Sequence, residues 1–243
     1  MTMNEVHVHG VTHAAERAAI EGAGARAVVH GDLAAVVGDA APDTRAADLA
    51  RRHWKVLEAI AATATVLPVR FGTVMAGDAA VADELLAPDH DALRARLERF
   101  AGTVQLTVKG TYDEAALMRS IVEGSPEVAR LRERVRTLSE AAGHFERIRL
   151  GEIVAGAVEQ ARQQDAARLL EHLDAHAIDR RIEPATGTDG AVNAAFLIER
   201  GRTAAFGRAL DAAAEELAGR VELRVIGPLP PYSFASEEAA AWA

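Results

Sequence analysis

Apolar residues in the first 75 positions follow two different periods, which predicts strands and helices in alternation. Strand-like runs occupy residues 6–10, 27–30 and 33–37, and the last two flank a Gly31-Asp32 turn typical of a hairpin. A brief helix is predicted over residues 12–20. A second helix, with Asp43 or Thr44 as its expected N-cap, is indicated by a stripe through Leu49, His53, Val56, Leu57, Ile60 and Ala64.

The stretch of residues 66–71 completes this set as a strand. Leu67, Val69 and Phe71 alternate onto one face, and Gly72 then permits a sharp turn. Pro68 cannot donate a ladder hydrogen bond, which predicts a strand at the edge of its sheet. The resulting β-α-β-β-α-β order is the ferredoxin-like arrangement, in which the last strand also lies at an edge.

The remainder of the chain predicts a second module of the same kind. Helices over residues 78–100 end at Gly102, where we place the boundary between domains 1–101 and 102–243. Strands are then predicted over residues 104–108, 178–182, 192–198 and 221–225, with helices from Asp113 and from Thr203. The fold class is therefore α+β, with two ferredoxin-like (βαββαβ) modules.

Residues 126–174 predict helices inserted in the second module. A seam of apolar residues spaced three and four apart runs through Leu131, Val135, Leu138, Ala142 and Phe145. The pattern fits either an antiparallel hairpin bent near Gly151 or one long kinked helix. We favour the hairpin, because a single helix of this length is unusual in a compact domain.

Composition narrows the classes of protein that the chain can represent. The 243 residues are 49% hydrophobic but only 4% aromatic, and 36 acidic residues outnumber 27 basic ones. The negative charge argues against nucleic acid as a partner, and the absence of cysteine fits a reducing compartment. With no signal-peptide pattern and no apolar run long enough to span a membrane, we expect a cytoplasmic protein without a membrane partner.

Histidines are the main candidates for chemistry. His7, His9 and His13 could bind a metal, but no acidic partner is near them in sequence, and a solvated strand face is the favoured interpretation. His172 and His176, spaced i, i+4 on a helix, are likewise interpreted as exposed. His53 lies on the apolar face of its helix and is interpreted as a hydrogen-bonded core histidine.

Arginine patterns give two further candidates. Arg70 is either part of a structural ion pair or a contact for a partner, and the pattern leaves both open. Arg130, Arg132, Arg134 and Arg136 alternate with glutamates and indicate a solvated helix face. No phosphate-binding loop, dinucleotide turn or serine elbow is present. We therefore predict no catalytic residues, no cofactor and no metal.

Two stretches resemble the gas vesicle accessory protein family F/L. They are Val66-Leu67-Pro68-Val69-Arg70-Phe71-Gly72-Thr73-Val74 and Gly227-Pro228-Leu229-Pro230-Pro231-Tyr232-Ser233-Phe234. Shorter similarities between them extend the resemblance over essentially the whole chain. Leu229 departs from the pattern, since the family often has tryptophan there, and the strand near Gln105 is less rich in tryptophan than is usual.

The resemblance implies a non-enzymatic accessory role in gas vesicle assembly. It implies binding to the small hydrophobic shell protein and to other accessory proteins, at a gas vesicle in the cytoplasm. We expect partner contacts at Leu67, Pro68, Arg70, Phe71, Tyr232 and Phe234. Two alternatives remain open: a tandem ferredoxin-like sensor of a small molecule, with a pocket between modules, and a metal-dependent enzyme built on converging histidines.

Overall fold

The computed structural model describes residues 5–40, 44–139, 142–185, 187 and 189–239, and the chain forms two compact units. Unit 1 contains residues 1–106, 196–203 and 226–243, and unit 2 contains residues 107–195 and 204–225. Segments from both sides of Gly102 therefore belong to unit 1. The predicted α+β class is confirmed, because strands and helices contribute throughout the described chain.

A five-stranded sheet forms the framework of unit 1. Its strands and helices are β1 (Val6–His13), α1 (Arg17–Gly22), β2 (Arg26–His30), β3 (Leu33–Asp39), α2 (Ala46–Ala61), β4 (Leu67–Pro68) and β5 (Val74–Met75). The strand order is β2-β3-β1-β4, all pairs are antiparallel, and β5 pairs with β1. The predicted hairpin is confirmed, since His30 lies opposite Leu33 across a turn in which Gly31 has a φ of 61°.

The predicted continuous strand over residues 66–71 is wrong in its extent. Only Leu67 and Pro68 pair with β1, opposite Val11 and Gly10, and the chain returns to β1 at Val74 and Met75. Backbone hydrogen bonds from Val69 N to His9 O (3.0 Å) and from Val8 N to Thr73 O (3.0 Å) hold the two ends. Residues 70–72 consequently loop out of the sheet, with Gly72 at a φ of 90°.

Helices and a second sheet follow. The elements are α3 (Asp78–Ala80), which continues as a π-helix (Val81–Leu86), α4 (His90–Arg99), β6 (Thr103–Tyr112), α5 (Glu114–Gly124), α6 (Pro126–Thr137), α7 (His144–Asp174), β7 (Asp179–Ile182), β8 (Gly190–Glu199), α8 (Thr203–Glu216), β9 (Val221–Leu229) and α9 (Tyr232–Ala239). The second sheet has the order β7-β8-β6-β9. In both sheets, then, the second strand lies outermost and the first strand lies between the third and the fourth.

The helices of residues 126–174 differ from the prediction in where they turn. Helix α6 ends at Thr137, and α7 continues through Gly151 without a break for 31 residues. A bend near Gly151 is therefore wrong, although α6 and α7 do pack together. The predicted seam is also wrong at Phe145, whose side chain is 80% exposed.

Helix α2 supplies much of the core of unit 1. Its buried residues Val56, Leu57 and Ile60 pack in one core cluster with Ile20 of α1 and Val36 of β3. Its N-cap is Arg45 rather than Thr44, and Asp43 lies outside the described residues. The free carbonyls just beyond its C-terminus, of Thr63 and Ala64, accept hydrogen bonds from Arg200 at 3.1 and 2.9 Å.

A buried carboxylate organises the polar interior of unit 2. Asp165 on α7 accepts a hydrogen bond from the Tyr112 hydroxyl at 2.8 Å and pairs with Arg220. Burial, together with the bond to Asp165, raises the pKa of Tyr112 and keeps its hydroxyl a donor. Within the described residues, no helix is both long enough and apolar enough to cross a membrane.

We predict that Gly10 is required for the pairing of β1 with β4. A Cβ at this position would lie 2.6 Å from the Leu67 carbonyl oxygen. Gly10→Ala should therefore lower the free energy of unfolding by about 1–3 kcal/mol, as overpacking does. Gly22→Ala is the matched control, because nothing lies within 4 Å of its Cβ and its φ is not in the left-handed region. The control should leave stability unchanged or raise it by up to about 1 kcal/mol in denaturant unfolding. Equal stability of the two variants would contradict this account.

Candidate functional site

Three histidines from two elements of unit 1 meet in its interior. His7 and His9 lie two residues apart on β1, and His53 projects from α2, which packs against that strand. Their exposed fractions are 7%, 2% and 0%. The register between β1 and β3 shifts between Val8 and Gly10, so His9 is the extra residue of a β-bulge. A bulge redirects a side chain locally, and here it accompanies the histidine closest to His53.

A chain of side-chain hydrogen bonds joins the cluster to Tyr232, far along the sequence. The Nδ1 atoms of His9 and His53 are 3.2 Å apart, and His53 Nε2 is 2.8 Å from the Tyr232 hydroxyl. Tyr232 opens α9, which packs against β4. Both stretches that carry the family resemblance therefore meet at the histidine cluster.

Aromatic rings surround the histidines and extend to the surface. Phe71 lies 5.7 Å from the His7 ring centre and 5.5 Å from that of His53, and it is 40% exposed. Trp54 packs on Tyr232 with ring centres 4.7 Å apart and is 42% exposed. Phe71 and Trp54 thus each have one side against the cluster or its tyrosine and another toward solvent.

The surroundings keep the histidines uncharged. Burial lowers the pKa of His9 to about 3, with smaller contributions from His7, His53 and Arg52. Burial lowers the pKa of His53 to about 4, helped by His7, and burial with the Arg52 charge lowers the pKa of His7. Burial also raises the pKa of Tyr232. At neutral pH the site therefore contains three neutral imidazoles and a protonated phenol.

The cluster has the composition of a metal-ligand set. One ring nitrogen from each of His7, His9 and His53 lies within 4.8 Å of the corresponding atoms of the other two. His7 Nε2 is buried and has no hydrogen-bond partner among the described residues. Imidazole nitrogens are the common protein ligands of zinc, nickel, copper and iron.

The interpretation of His7 and His9 as a solvated face is wrong, because both are buried. His13, at the far end of β1, is not part of the cluster, and His53 takes its place from 44 residues further along. The interpretation of His53 as a hydrogen-bonded core residue is confirmed. The interpretation of His172 and His176 as exposed is wrong, because both are half-buried, and His172 Nε2 contacts Glu216 Oε1 at 2.9 Å in unit 2.

The six predicted partner-contact residues divide into supporting and accessible positions. Leu67 and Phe234 are 3% and 4% exposed and belong to the interior. Pro68 and Tyr232 are half-buried, while Arg70 and Phe71 are exposed. Within the described chain Arg70 forms no ion pair, so the structural ion-pair interpretation of this residue finds no support.

Sequence reasoning missed two exposed apolar residues beside this site, Trp54 and Val74. Trp54 follows His53 on α2, and successive residues of a helix point to different faces, so Trp54 is exposed although His53 is buried. Val74 is 49% exposed because the chain rejoins β1 only after the loop of residues 70–72. A separate cleft of about 390 Å³ in unit 2 is lined by polar residues that include Arg119, Ser120 and Glu216.

Solved structures share this architecture. The chain resembles the crystal structure of gas vesicle protein GvpF from Anabaena sp. PCC7120, with a TM-score of 0.77, 20% identity and coverage of 96% of this chain and 98% of that one. GvpF from Microcystis aeruginosa gives a TM-score of 0.71 at 19% identity, with 96% and 99% coverage. These similarities establish the α+β fold class that the chain shares with them.

Sequence comparison then assigns the family. Residues 5–236 match the model of the gas vesicle synthesis protein GvpL/GvpF family, and the chain belongs to that family. Gas vesicle protein F of Streptomyces sp. (strain CB03234) is 38% identical over 212 residues, covering 86% of this chain and 87% of the relative. Gas vesicle protein L of the same strain is 32% identical over 233 residues, with 86% and 82% coverage. The predicted family is confirmed.

We predict that the buried histidines make stability depend on pH. Their pKa values in the folded protein lie below the unfolded value of about 6.5, so the unfolded chain binds more protons as the pH falls. The stability that the neutral histidines contribute is fully present above pH 6.5. As the pH falls it is lost progressively, down to about pH 4 for His53 and about pH 3 for His9. When the pH is lowered from 7 to 5.5, where most carboxylates remain ionised, His9 and His53 should each lower the free energy of unfolding by about 1 kcal/mol.

Denaturant unfolding in the presence of a chelator measures this effect. His53→Gln removes one of the three lowered histidine titrations and should therefore reduce the pH dependence without abolishing it. A free energy of unfolding that stays constant from pH 7 to 5.5 in the unmodified chain would contradict the prediction.

Proposed function

We propose that this chain is a non-enzymatic accessory protein of gas vesicle assembly that binds the hydrophobic shell protein and other accessory proteins in the cytoplasm. The match of residues 5–236 to the gas vesicle synthesis family carries the proposal. The chemistry of the site agrees with it, because the histidines are enclosed and uncharged. We also infer ferredoxin-like modules, since both sheets place their strands in the order second, third, first, fourth.

We place the shell-protein contact on the edge surface, defined as Arg70, Phe71 and Val74 together with Trp54. Phe71, Val74 and Trp54 are 40–49% exposed, and Phe71 and Trp54 are two of the few aromatic residues in a chain that is only 4% aromatic. Exposed aromatic residues next to an arginine are typical anchors of protein interfaces. A shell subunit that must exclude water offers the matching apolar surface before it is assembled.

The loop in the segment supports a contact by side chains rather than by strand addition. Pro68 has no backbone donor, and residues 70–72 are displaced from the sheet line. A partner strand would therefore find an interrupted row of hydrogen-bonding groups. The side chain of Arg70, in contrast, is exposed, and that of Phe71 is partly exposed while it packs on His7 and His53. Both lie on a turn fixed by Thr73, whose N and Oγ1 donate to Arg70 O.

We predict that Arg70→Glu separates binding from stability. Arg70 is exposed and has no ion-pair partner in the described part of the chain. The free energy of unfolding should therefore change by no more than about 0.5 kcal/mol. Co-purification with the shell protein should be lost, and cells carrying this variant as their only copy should form fewer vesicles. Phe71→Ser should weaken the same co-purification by removing the aromatic anchor.

Two matched controls lie in unit 2. Arg132→Glu makes the same charge change on an exposed position of α6, and Phe145→Ser removes an aromatic ring that is 80% exposed. Both should retain binding. If Arg70→Glu folds normally and still binds, or if the controls lose binding equally, the assignment of the edge surface is wrong.

A further inference from the structure

We propose that His7, His9 and His53 form a binding site for a divalent transition metal of the zinc class, beyond the assembly role proposed above. Three imidazole nitrogens converge within 4.8 Å, and all three side chains are more than nine-tenths buried. This proposal revises the expectation from sequence that the chain binds no metal.

The distance between His9 and His53 suits two ligands of one ion. Their Nδ1 atoms are 3.2 Å apart. Two corners of a tetrahedron around zinc, at Zn–N distances of about 2.0–2.1 Å, are separated by about 3.3 Å. The two nitrogens therefore already lie at the spacing that coordination requires. An ion between them would replace their hydrogen bond, and the shared proton would move to Nε2 of the ring that held it, so that both ligands stay neutral imidazoles.

His7 supplies the third ligand. Its ring is stacked on that of His9 with centres 4.8 Å apart, and it lies 5.5 Å from the His53 ring centre. Buried imidazole nitrogen is normally hydrogen-bonded, but His7 Nε2 has no partner in the described residues. A rotation of this ring would bring a third nitrogen to the ion and satisfy the unpaired group.

Tyr232 has the role expected of a group that orients a metal ligand. With an ion on His53 Nδ1, the proton of the neutral ring is on Nε2 and is donated to the Tyr232 oxygen, 2.8 Å away. Such contacts fix the tautomer and the ring orientation of ligating histidines.

Charge determines what completes the site. The ligands are neutral, and the Arg52 guanidinium on α2 adds positive charge close to His7 and His9. A small anion, or a hydroxide formed from a bound water, in the fourth position would therefore balance part of the charge of the ion. Phe71, partly exposed and in contact with His7 and His53, is the side chain between the cluster and solvent.

Metal titration of the purified full chain, prepared without a polyhistidine tag and stripped with a chelator, tests the proposal. One equivalent of Co²⁺ should bind and give the intense visible absorption of tetrahedral coordination, and Zn²⁺ should displace it. Excess Zn²⁺ should raise the melting temperature by several degrees, since the ion binds only the folded site. Absence of stoichiometric binding would overturn the proposal.

Variants identify the ligands. His7→Gln should weaken Co²⁺ binding more than tenfold, and Tyr232→Phe should weaken it by about tenfold. The double variant His172→Gln/His176→Gln, on helix α7 and just after it, should bind as the unmodified chain does. Binding that survives His7→Gln but is lost in the double variant would place the metal in unit 2 and overturn the proposal. X-ray absorption of the zinc-loaded unmodified chain needs no variant: three imidazoles are expected, and two or fewer would contradict the site.

Discussion

The hydrogen bonds between Tyr232 and His53 and between His53 and His9 hold unit 1 together at the point where its elements are furthest apart in sequence. They link β1, α2 and α9 through side chains that are largely removed from water. Hydrogen bonds in such surroundings are strong, and a missing partner is costly. Each member must therefore stay uncharged, and the lowered histidine pKa values express that requirement.

The interrupted edge of the sheet follows from the same constraint. β1 presents His7 and His9 to the interior, and the segment after α2 must cover them while remaining paired with β1. Leu67 and Pro68 do so at one end and Val74 and Met75 at the other. Between them the chain leaves the sheet, and Phe71 reaches back over His7 and His53. The exposed side chains proposed to meet a partner therefore belong to the cover of a polar interior.

Periodicity predicted the elements well wherever one face of a strand or helix is apolar. The stripe of α2 and the alternation of residues 104–108 in β6 identified both elements, and the Gly31-Asp32 turn identified the hairpin. The periodicity of neighbouring residues did not predict the structure where contacts between distant parts of the chain determine the backbone conformation. The bulge at His9 and the loop at residues 70–72 depend on α2 and on the chain end, which no window of neighbouring residues contains.

The histidine cluster shows the same limit. Spacing grouped His7 and His9 with His13, but the fold selects His53 because α2 packs on β1. Seeing this from sequence would have required pairing the histidine on the helix stripe with the alternating histidines of the first strand. Likewise, Phe145 satisfied a regular apolar spacing yet is exposed, since spacing does not tell which face of a helix has a neighbour.

Unit 1 is built from segments that are far apart in the sequence, so it can be completed only late in synthesis. Its sheet and α2 come from the first 75 residues, but Tyr232 and the rest of α9 are translated only after all of unit 2. Until then the nascent chain has no partner for His53 Nε2 and no helix over β4. Unit 1 therefore becomes whole only after Tyr232 and the residues around it have left the ribosome. Chains that stop before this point lack the tyrosine that bonds to His53 and packs on Trp54.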